Sequence, residues 1–547
     1  MRNFINTYLR RGRRRFWGRA FFALLLLTGL ACFRDYGVSW DEEVLRTNGM
    51  VSAKYVAGLV APAWTAQQPK FANIPALAGH RDNDHGVLFE LPLVAVAKVL
   101  GVNDSRTYYL LRHLAVFLVF AAGVGALYGL ARIRLRSWRW GLVVSAALVL
   151  SPRFFAEAFY NAGDIVFMAL FAVGVGTLVR LVRRPSWGRA AVHGLATAAA
   201  VDVRVLGVLL VALSLGMVAL EMMFGPPERA RRVALSRAVG LYLPVAAAAT
   251  VAGWPFLWEA PVARFLYVFQ HLSRYTTWDG DVLYWGRIIS AHQLPWHYAP
   301  VWILITTPLA YTAAFLLGAG GALAAFVSRP VAYLRTFEGR LDVLLLAWLS
   351  APVLLVIGLH SVIYDGWRHL YFVYPALLLL AGRGAERLWQ WVRAAQPQQY
   401  LQRWLAVAAL GAMGLNVAYT GAEMVRAHPQ QQVYFSCLTP ATAERLFERD
   451  YWGLSYRQGL EWIARHDPAP TLAVGGQSDG LIEKNLAIIE PRTRARFRLV
   501  GGTRGRYYLS AYRTHPGPYP DSVGREVYRV RAYGLTVLSV FRRPGAY

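Results

Sequence analysis

Apolar residues along this chain gather in long runs separated by short, polar and arginine-rich segments. Runs of this length cross a bilayer as helices. The first, FFALLLLTGLACF, has no small-residue cleavage site behind it, so we interpret it as a retained anchor rather than a signal peptide. The pattern predicts an all-α polytopic membrane domain over residues 1–421, with eleven helices near 16–33, 111–131, 140–156, 164–182, 189–203, 205–224, 238–256, 298–327, 341–360, 367–383 and 402–421.

Three segments between or after these helices are too long to be turns. Segment 34–110 is a first extracytoplasmic loop that holds one amphipathic helical pattern, EEVLRTNGMVSAKYVAGLV. Segment 256–297 is a second, aromatic-rich loop, although Trp and Tyr at these positions are also typical of an interfacial belt. Segment 422–547 begins with helical periodicity and continues as five strand patterns, which predicts a small C-terminal α/β or α+β extracytoplasmic domain. The strand patterns are TLAVGG, RARFRLVG, RYYLSAYR, EVYRVRAYG and LTVLSVFRR.

The composition agrees with a membrane protein. Of the 547 residues, 16% are charged and 56% are hydrophobic, and the mean hydropathy is +0.33. The predicted inner connections hold 26 Arg and no Lys, whereas the short outer connections hold six Arg and no Lys. This asymmetry predicts a cytoplasmic N-terminus and an extracytoplasmic C-terminal domain. The net charge of +27 is therefore explained by topology, and the expected partner is a lipid bilayer, with no nucleic acid.

The two cysteines, Cys32 and Cys437, lie at a predicted membrane boundary and in the tail. We expect no disulfide between them. No Cys/His spacing in the sequence is typical of a zinc site.

The first candidate for chemistry is the segment YGVSWDEEVLR, which follows the first apolar run. Asp41, Glu42 and Glu43 stand here in succession. The pattern S-x-x-E from Ser39 to Glu42 is a capping box, which would make these acids a helix start. The alternative is that Asp41 is a catalytic carboxylate, and both roles are compatible because a helix start holds a side chain rigidly.

A second candidate is SPRFFAEAFYNAGDIVF, between the third and fourth predicted helices. It places Arg153, Glu157, Asn161 and Asp164 at the outer membrane face. Ionisable residues at membrane depth are costly, so they favour a function. The structural alternative is an i,i+4 ion pair between Arg153 and Glu157, with Asp164 as an N-cap.

Two further outer segments carry charges. VDVRVLG places Asp202 and Arg204 between the fifth and sixth helices, and if this segment is extended they point to opposite faces, so we do not expect them to pair. YDGWRHLYFVYP places Asp365, Arg368 and His369 at the start of the tenth helix. Arg368 could instead extend to the lipid headgroups.

These charges share one membrane face, and together they suit one chemistry. Two or three arginines can bind a phosphate by bidentate hydrogen bonds. A carboxylate opposite them can accept a proton from an attacking hydroxyl. A phosphate carried on a lipid would enter this place sideways from the bilayer.

The same segments resemble the multi-spanning glycosyltransferases of the GT-C fold, in particular family 39, which is protein O-mannosyltransferase-like, and the aminoarabinose transferases. The similarity lies in SWDE, DHGVLFELP, SPRFFAEAFYNAGD and GWRHLYFVYP, and it spans about residues 1–420. The tail, with HPQQQVYFSCL and RDYWGLSYRQGLEWI, resembles the outer domain of a bacterial subgroup. The resemblance implies transfer of a sugar from a polyprenyl-phosphate donor to an acceptor hydroxyl, with inversion, at the periplasmic face of a bacterial inner membrane.

The resemblance also implies roles for single residues. Asp41 matches the first-loop acid of the family, the general base, and Glu42 would orient it or the acceptor. Arg153 and Arg368 match arginines that stabilise the leaving phosphate. His85 falls where the O-mannosyltransferases carry His-Pro-Pro, but Gly-Val-Leu-Phe-Glu-Leu-Pro follows it here.

Three other residues complete the predicted site. Arg204 joins the arginines that bind the donor phosphate, and Asp164 and His369 are assigned to substrate binding. His369 stands where the family usually has a tyrosine, which puts the acceptor class in doubt. The acceptor is therefore left open among glycan, lipid and protein, and the sugar is not specified.

No cofactor is expected, although two acidic triplets fit the spacing that holds a divalent cation through oxygen ligands. These are DND, Asp82 to Asp84, and DGD, Asp279 to Asp281. Such triplets also arise in loops because Asp, Asn and Gly form turns.

Two functions from other classes compete with a transferase. A transporter or lipid flippase predicts charges through the helix centres and paired broken helices, whereas these charges lie at one face. A non-catalytic envelope scaffold would bind glycan through tail aromatics such as Trp452 and Tyr456. It gives no reason for acids directly after the first helix.

Overall fold

The computed structural model describes residues 2–274, 278–393 and 400–543, so residues 275–277 of the second loop and 544–547 of the tail lie outside the described residues. Helices occupy most of the described chain. They are α1 (Arg2–Cys32), α2 (Trp40–Val60), α3 (Pro62–Ala66), α4 (Pro69–Ala72), α5 (Glu90–Val99), α6 (Ser105–Arg134), α7 (Trp138–Val149), α8 (Pro152–Tyr160), α9 (Asp164–Arg183), α10 (Trp187–Val201), α11 (Val208–Phe224), α12 (Arg229–Gly253), α13 (Pro261–Arg274), α14 (Tyr298–Thr306), α15 (Leu309–Ser328), α16 (Pro330–Arg335), α17 (Phe337–Gly358), α18 (Tyr374–Arg393), α19 (Tyr400–Arg426), α20 (Pro440–Leu446), α21 (Ser455–His466), α22 (Asp479–Leu486) and α23 (Pro491–Arg494).

Eight of these helices are long and apolar enough to cross a membrane, and the number is nine if α7 and α8, which meet at 69°, form one broken span. These counts refer to the described part of the chain. Each of the eleven predicted membrane segments falls mostly on helix, but the number of eleven spans is not confirmed, and four segments differ in form. The segment 367–383 is the 3₁₀ helix Arg368–Val373 followed by α18, which is not one of the eight. The segment 140–156 is the bent pair α7 and α8, and the segment 298–327 is divided into α14 and α15. The segment 189–203 is α10, with only 15 residues.

Prolines explain both breaks. Pro152 is the first residue of α8, where a missing backbone N–H costs nothing. Pro308 precedes α15 and cannot donate to the last turn of α14. The helix α9 lies at the centre, with 83% of its membrane window buried, and its first residue, Asp164, therefore lies inside the bundle rather than at its edge.

The tail forms a five-stranded sheet in the order β4-β3-β5-β7-β6, and a separate antiparallel hairpin, β1–β2, lies in the second loop. The parallel pairs are β3–β4 and β3–β5, and the other two pairs are antiparallel. The five predicted strands are confirmed, but the hairpin was not predicted. The strands are β1 (Asp281–Tyr284), β2 (Arg287–Ser290), β3 (Leu472–Gly476), β4 (Phe497–Leu499), β5 (Tyr507–Ser510), β6 (Arg525–Ala532) and β7 (Leu535–Arg542).

The sheet region packs directly on one end of the bundle of membrane helices. Asn485 of α22 accepts from the backbone N–H of Val38 at 3.1 Å and donates to its carbonyl at 3.2 Å. Arg457 of α21 donates to the carbonyl of Tyr36 at 2.7 Å. The segment between α1 and α2 is thereby held from outside the membrane, which fixes the start of α2.

Candidate functional site

The start of α2 separates its acids into two roles. The carboxylate of Glu42 accepts from the N–H of Ser39 at 2.8 Å, and the predicted capping box is present. Glu42 is fully buried, with His113 at 3.1 Å and Arg112 at 3.5 Å. Asp41 instead points out of the helix start, with 38% of its side chain exposed. Glu42 therefore serves the helix, and Asp41 is free for contacts elsewhere.

The main contact of Asp41 is the guanidinium of Arg368. Its Nη1 lies 2.8 Å from Asp41 Oδ2 and 3.2 Å from Asp164 Oδ2, and its Nε lies 3.3 Å from Asp365 Oδ2. The rings of Tyr364 and Trp452 lie 4.8 Å from the same guanidinium carbon. Because only 2% of its side chain is exposed, Arg368 does not extend to lipid headgroups.

Asp164 joins a second arginine to this centre. Its Oδ1 lies 2.5 Å from Arg204 Nη2. Asn161 holds the carboxylate in place, because its side-chain amide donates to Asp164 Oδ2 at 3.0 Å and its Oδ1 accepts from the N–H of Asp164 at 2.8 Å. Asp164 is thus the first residue of α9 rather than its N-cap, which is Gly163.

The tail contributes a third arginine, Arg513, to this centre, and the sequence analysis did not predict it. Arg513 Nη2 lies 2.5 Å from Asp365 Oδ1, on the side away from Arg368. Asp365 and Gly366 have φ values of 57° and 70°, a left-handed turn that aims the carboxylate between the two guanidiniums. We call Asp41, Asp164, Asp365, Arg204, Arg368 and Arg513 the charge cluster.

Glu448 lies beside the charge cluster, with its Oε1 3.4 Å from Arg513 Nε. Burial raises the pKa of Glu448 to about 8, and the nearby Asp365 adds to this effect while Arg513 opposes it. Burial also raises the pKa of the neighbouring Asp365, so these two buried carboxyl groups share the positive charge of Arg513.

Exposure distinguishes the members of the charge cluster. The side chains of Arg368 and Asp164 are 2% and 1% exposed, whereas those of Arg204 and Asp41 are 25% and 38% exposed. A molecule from outside would reach Asp41 and Arg204 first, with Arg368 directly behind.

Arg153 is not brought to the charge cluster. Its Nε donates to the carbonyl of Tyr434 at 3.1 Å and its Nη1 to the hydroxyl of Tyr451 at 3.3 Å. Its guanidinium lies over the ring of Trp302, 5.3 Å from the centroid. No ion pair joins Arg153 to Glu157 among the residues described. The contacts of Arg153 are those of a residue that ties the tail to the membrane helices.

The two predicted histidines lie in different places. His369 follows Arg368 directly, and its ring meets that of Tyr364 edge-on at 4.8 Å. His85 instead shares Asp84 with His271, at 3.0 Å and 2.5 Å. His85 therefore belongs to a contact between the first and second loops, and its described contacts do not reach the charge cluster.

The acidic triplets are engaged in other contacts. Asp84 of the first triplet binds the two histidines, and Asp279 of the second is 87% exposed and faces His292 at 3.2 Å. In the described part of the chain, a different group has the closeness of metal ligands: Cys32, Asp35 and His428, whose ligand atoms lie within 4.8 Å of one another. His428 is distant in sequence from Cys32 and Asp35, so no local spacing indicated the group.

The charge cluster is better suited to an anion than to a cation. Each of its carboxylates already faces a guanidinium, so an added cation would meet arginines on every side. A phosphate could replace a carboxylate as the partner of Arg368 or Arg204, because arginine binds both groups through the same planar donors. The displaced carboxylate of Asp41 would then lie next to the phosphate without its arginine partner.

Similar folds occur among archaeal oligosaccharyltransferases. The oligosaccharyltransferase AglB from Archaeoglobus fulgidus, in complex with an inhibitory peptide and a dolichol-phosphate, has a TM-score of 0.52 at 10% identity, over 88% of this chain and 65% of that chain. Another Archaeoglobus fulgidus oligosaccharyltransferase structure, tethered with an acceptor peptide, gives 0.44 at 12% identity, over 75% and 56% of the two chains. No family model and no curated protein matches the sequence. The chain spans less than two thirds of either neighbour, and the likeness to AglB, a GT-C glycosyltransferase, concerns the fold alone.

Proposed function

We propose that this protein is a membrane glycosyltransferase that moves a sugar from a polyprenyl-phosphate donor to an acceptor hydroxyl at the outer membrane face. The observation that carries the proposal is the contact between Asp41 and Arg368, a half-exposed carboxylate on a buried arginine at one end of the membrane helices. The fold supports it, since AglB was studied with a dolichol-phosphate. In this proposal the membrane is the inner membrane of a bacterium, and the tail is periplasmic.

The donor phosphate binds where Asp41 now meets Arg368. The guanidiniums of Arg368 and Arg204 take the phosphate oxygens, and Asp41 turns toward the exposed side. Arg368 is held from behind by Asp365, so it stays in place while its front partner is exchanged. A preorganised guanidinium of this kind stabilises charge without rearranging during the reaction.

Transfer is then a single displacement. The acceptor hydroxyl gives its proton to Asp41 while its oxygen bonds to the anomeric carbon. The bond from that carbon to the phosphate oxygen breaks on the opposite face, and the electron pair leaves with the polyprenyl phosphate. One displacement inverts the anomeric centre. Arg368 and Arg204 stabilise the charge that grows on the leaving oxygen.

A transporter or flippase is less well supported by the placement of the charges. Among the described residues, the charge cluster lies at the outer ends of helices, beside the tail, rather than along a path through the bundle. A glycan-binding scaffold is less well supported by Trp452, because its ring lies against Arg368 and is fully buried.

The test uses detergent-purified protein and a panel of radiolabelled polyprenyl-phosphate sugars, with membrane extract as the acceptor. Release of polyprenyl phosphate is followed for the wild type, Asp41→Asn and Glu43→Gln. We expect release by the wild type from at least one donor and loss of at least 100-fold in Asp41→Asn, since general-base catalysis contributes about 10²–10⁴-fold. Glu43→Gln is the matched control, because Glu43 lies two residues on and pairs with Lys484.

Normal release by Asp41→Asn would remove Asp41 from the mechanism. No release from any donor by correctly folded wild type would contradict the transferase and favour the transporter or scaffold. The donor that is consumed identifies the sugar, and the product formed in the extract identifies the acceptor as glycan, lipid or protein.

A further inference from the structure

The membrane face opposite the charge cluster carries an arginine-lined cleft of about 710 Å³. We propose that this cleft binds the phosphodiester headgroup of an anionic phospholipid from the adjacent leaflet. The proposal does not depend on the glycosyltransferase reaction. We call the site the arginine cleft; its lining is Arg132, Ile133, Arg136, Trp138, Arg183, Phe337 and Glu338.

The depth of the arginine cleft follows from the helices that build it. The helix α9 begins at Asp164 in the charge cluster and ends at Arg183 in the cleft. Its 20 residues span about 30 Å, which is the thickness of the hydrocarbon core of a bilayer. The cleft therefore lies at headgroup level in the leaflet opposite the one that borders the charge cluster.

The arginine cleft holds positive charge that the protein does not neutralise. Arg136 pairs with Glu338, and its side chain is 78% exposed. In the described part of the chain, Arg132 and Arg183 have no carboxylate partner; their guanidiniums lie over the rings of Tyr128 and Phe337 at 5.8 Å. The lining thus carries three arginines against one carboxylate.

Four other arginines at the same membrane face differ from Arg132 and Arg183, because they share two carboxylates. Asp342 pairs with Arg134 at 2.5 Å and with Arg383 at 3.2 Å. Glu221 pairs with Arg231 and Arg340, at 2.8 Å each. These pairs lie between helices and join them.

The cleft also offers apolar contact beside its charge. Trp138 begins α7 and Phe337 begins α17, so both rings stand at the level where a headgroup meets its acyl chains. Basic pockets between membrane helices bind anionic headgroups in this way. A soluble phosphate compound would use the arginines but not the two rings, which favours a lipid.

The test titrates detergent-purified protein with phosphatidylglycerol and with phosphatidylcholine of the same acyl chains, and counts bound lipid by native mass spectrometry. We expect phosphatidylglycerol to bind the wild type at least tenfold more tightly than phosphatidylcholine. Arg132→Gln with Arg183→Gln should weaken phosphatidylglycerol binding about 25-fold, because each arginine near an anionic surface contributes roughly fivefold. The single variant Arg132→Gln should lose about fivefold and serves if the double variant does not fold.

The matched control is Arg329→Gln with Arg335→Gln, which removes the same charge from exposed positions outside the cleft. This control should bind phosphatidylglycerol as the wild type does. Equal affinity of the wild type and the cleft variants, or an equal loss in the control, would overturn the proposal. Glycerol phosphate that binds as tightly as the lipid would assign the arginine cleft to a soluble anion and would also overturn it.

Discussion

Arg513 is farther along the sequence than any other residue of the charge cluster, and it acts through Asp365. It does not contact the proposed donor position; it holds the rear carboxylate, Asp365, at 2.5 Å. Asp365 in turn meets Arg368 at 3.3 Å. Arg513 therefore shares the charge of Asp365, which would otherwise fall wholly on Arg368, and is a positioning residue.

Replacing Arg513 tests this positioning role. In Arg513→Gln, Asp365 interacts with Arg368 alone, and its negative charge weakens the binding of the donor phosphate by Arg368. We expect the donor KM to rise about tenfold, which corresponds to roughly 1.4 kcal/mol. Arg513→Lys keeps the charge and should recover part of the loss. Steady-state kinetics with the donor found for the wild type measure both.

Arg504→Gln is the control for Arg513→Gln, because Arg504 is an exposed arginine of the same sheet region. A purely structural role for Arg513 would reduce the active fraction, and so kcat, at an unchanged KM. That pattern, without recovery by lysine, would contradict positioning through Asp365.

Glu448 makes the stability of the protein depend on pH. Its pKa is raised by burial from 4.5 to about 8, so between these values the folded protein holds a proton that the unfolded chain has lost. The stability that this group contributes is complete below pH 4.5 and disappears as the pH rises through about 8. The glutamine in Glu448→Gln cannot ionise, so this variant should not lose stability in this way as the pH rises.

As the pH rises from 5 to 9, the free energy of unfolding of the wild type should therefore fall relative to that of Glu448→Gln, by an amount on the order of a few kcal/mol. Thermal denaturation in detergent across this range measures the change. Parallel pH profiles for the two proteins would show that Glu448 ionises normally in the folded state.

At the scale of elements, the contact between α15 and α18 is set by glycine. A Cβ at Gly318 would overlap the carbonyl oxygen of Leu380, and one at Gly384 would overlap that of Ala314. The two backbones are thus in direct contact, as small residues permit between membrane helices. This contact holds α18, and with it the 3₁₀ helix Arg368–Val373 that begins with Arg368.

Two glycines of α15 provide a matched test of this contact. Gly318→Ala should destabilise the protein by about 1–3 kcal/mol, because the added methyl group forces the helices apart. Gly320→Ala should be close to neutral, since nothing lies within 4 Å of its Cβ position. Thermal denaturation of both variants in detergent gives the comparison. Equal melting temperatures would contradict the close packing of the two helices.

Sequence periodicity predicted the elements better than it predicted their breaks. The apolar runs and the alternating tail segments are local patterns, and helices and the five tail strands are found at those places. The division at Pro308 and the bend before Pro152 were missed because both lie within continuous apolar runs. The β1–β2 hairpin was missed because its aromatic residues are equally typical of an interfacial belt.

At the scale of the whole molecule, topology was sufficient to group part of the site. Placing each polar segment on one membrane face brought Asp41, Asp164, Arg204 and Arg368 together as candidates, and the structure joins all four. The same reasoning included Arg153, because a membrane face is much larger than a hydrogen-bonded cluster. Arg513 was missed, since nothing in its own segment indicates that the tail reaches into the site.

The measurement that tests the proposed mechanism most directly is polyprenyl phosphate binding to Asp41→Asn, set beside the turnover of the same preparation. If the donor phosphate takes the place of Asp41 on Arg368, the variant should bind polyprenyl phosphate at least as tightly as the wild type, because the competing charge is gone. It should nevertheless transfer sugar at least 100-fold more slowly, because the base is gone. Weaker binding together with normal transfer would contradict both roles of Asp41.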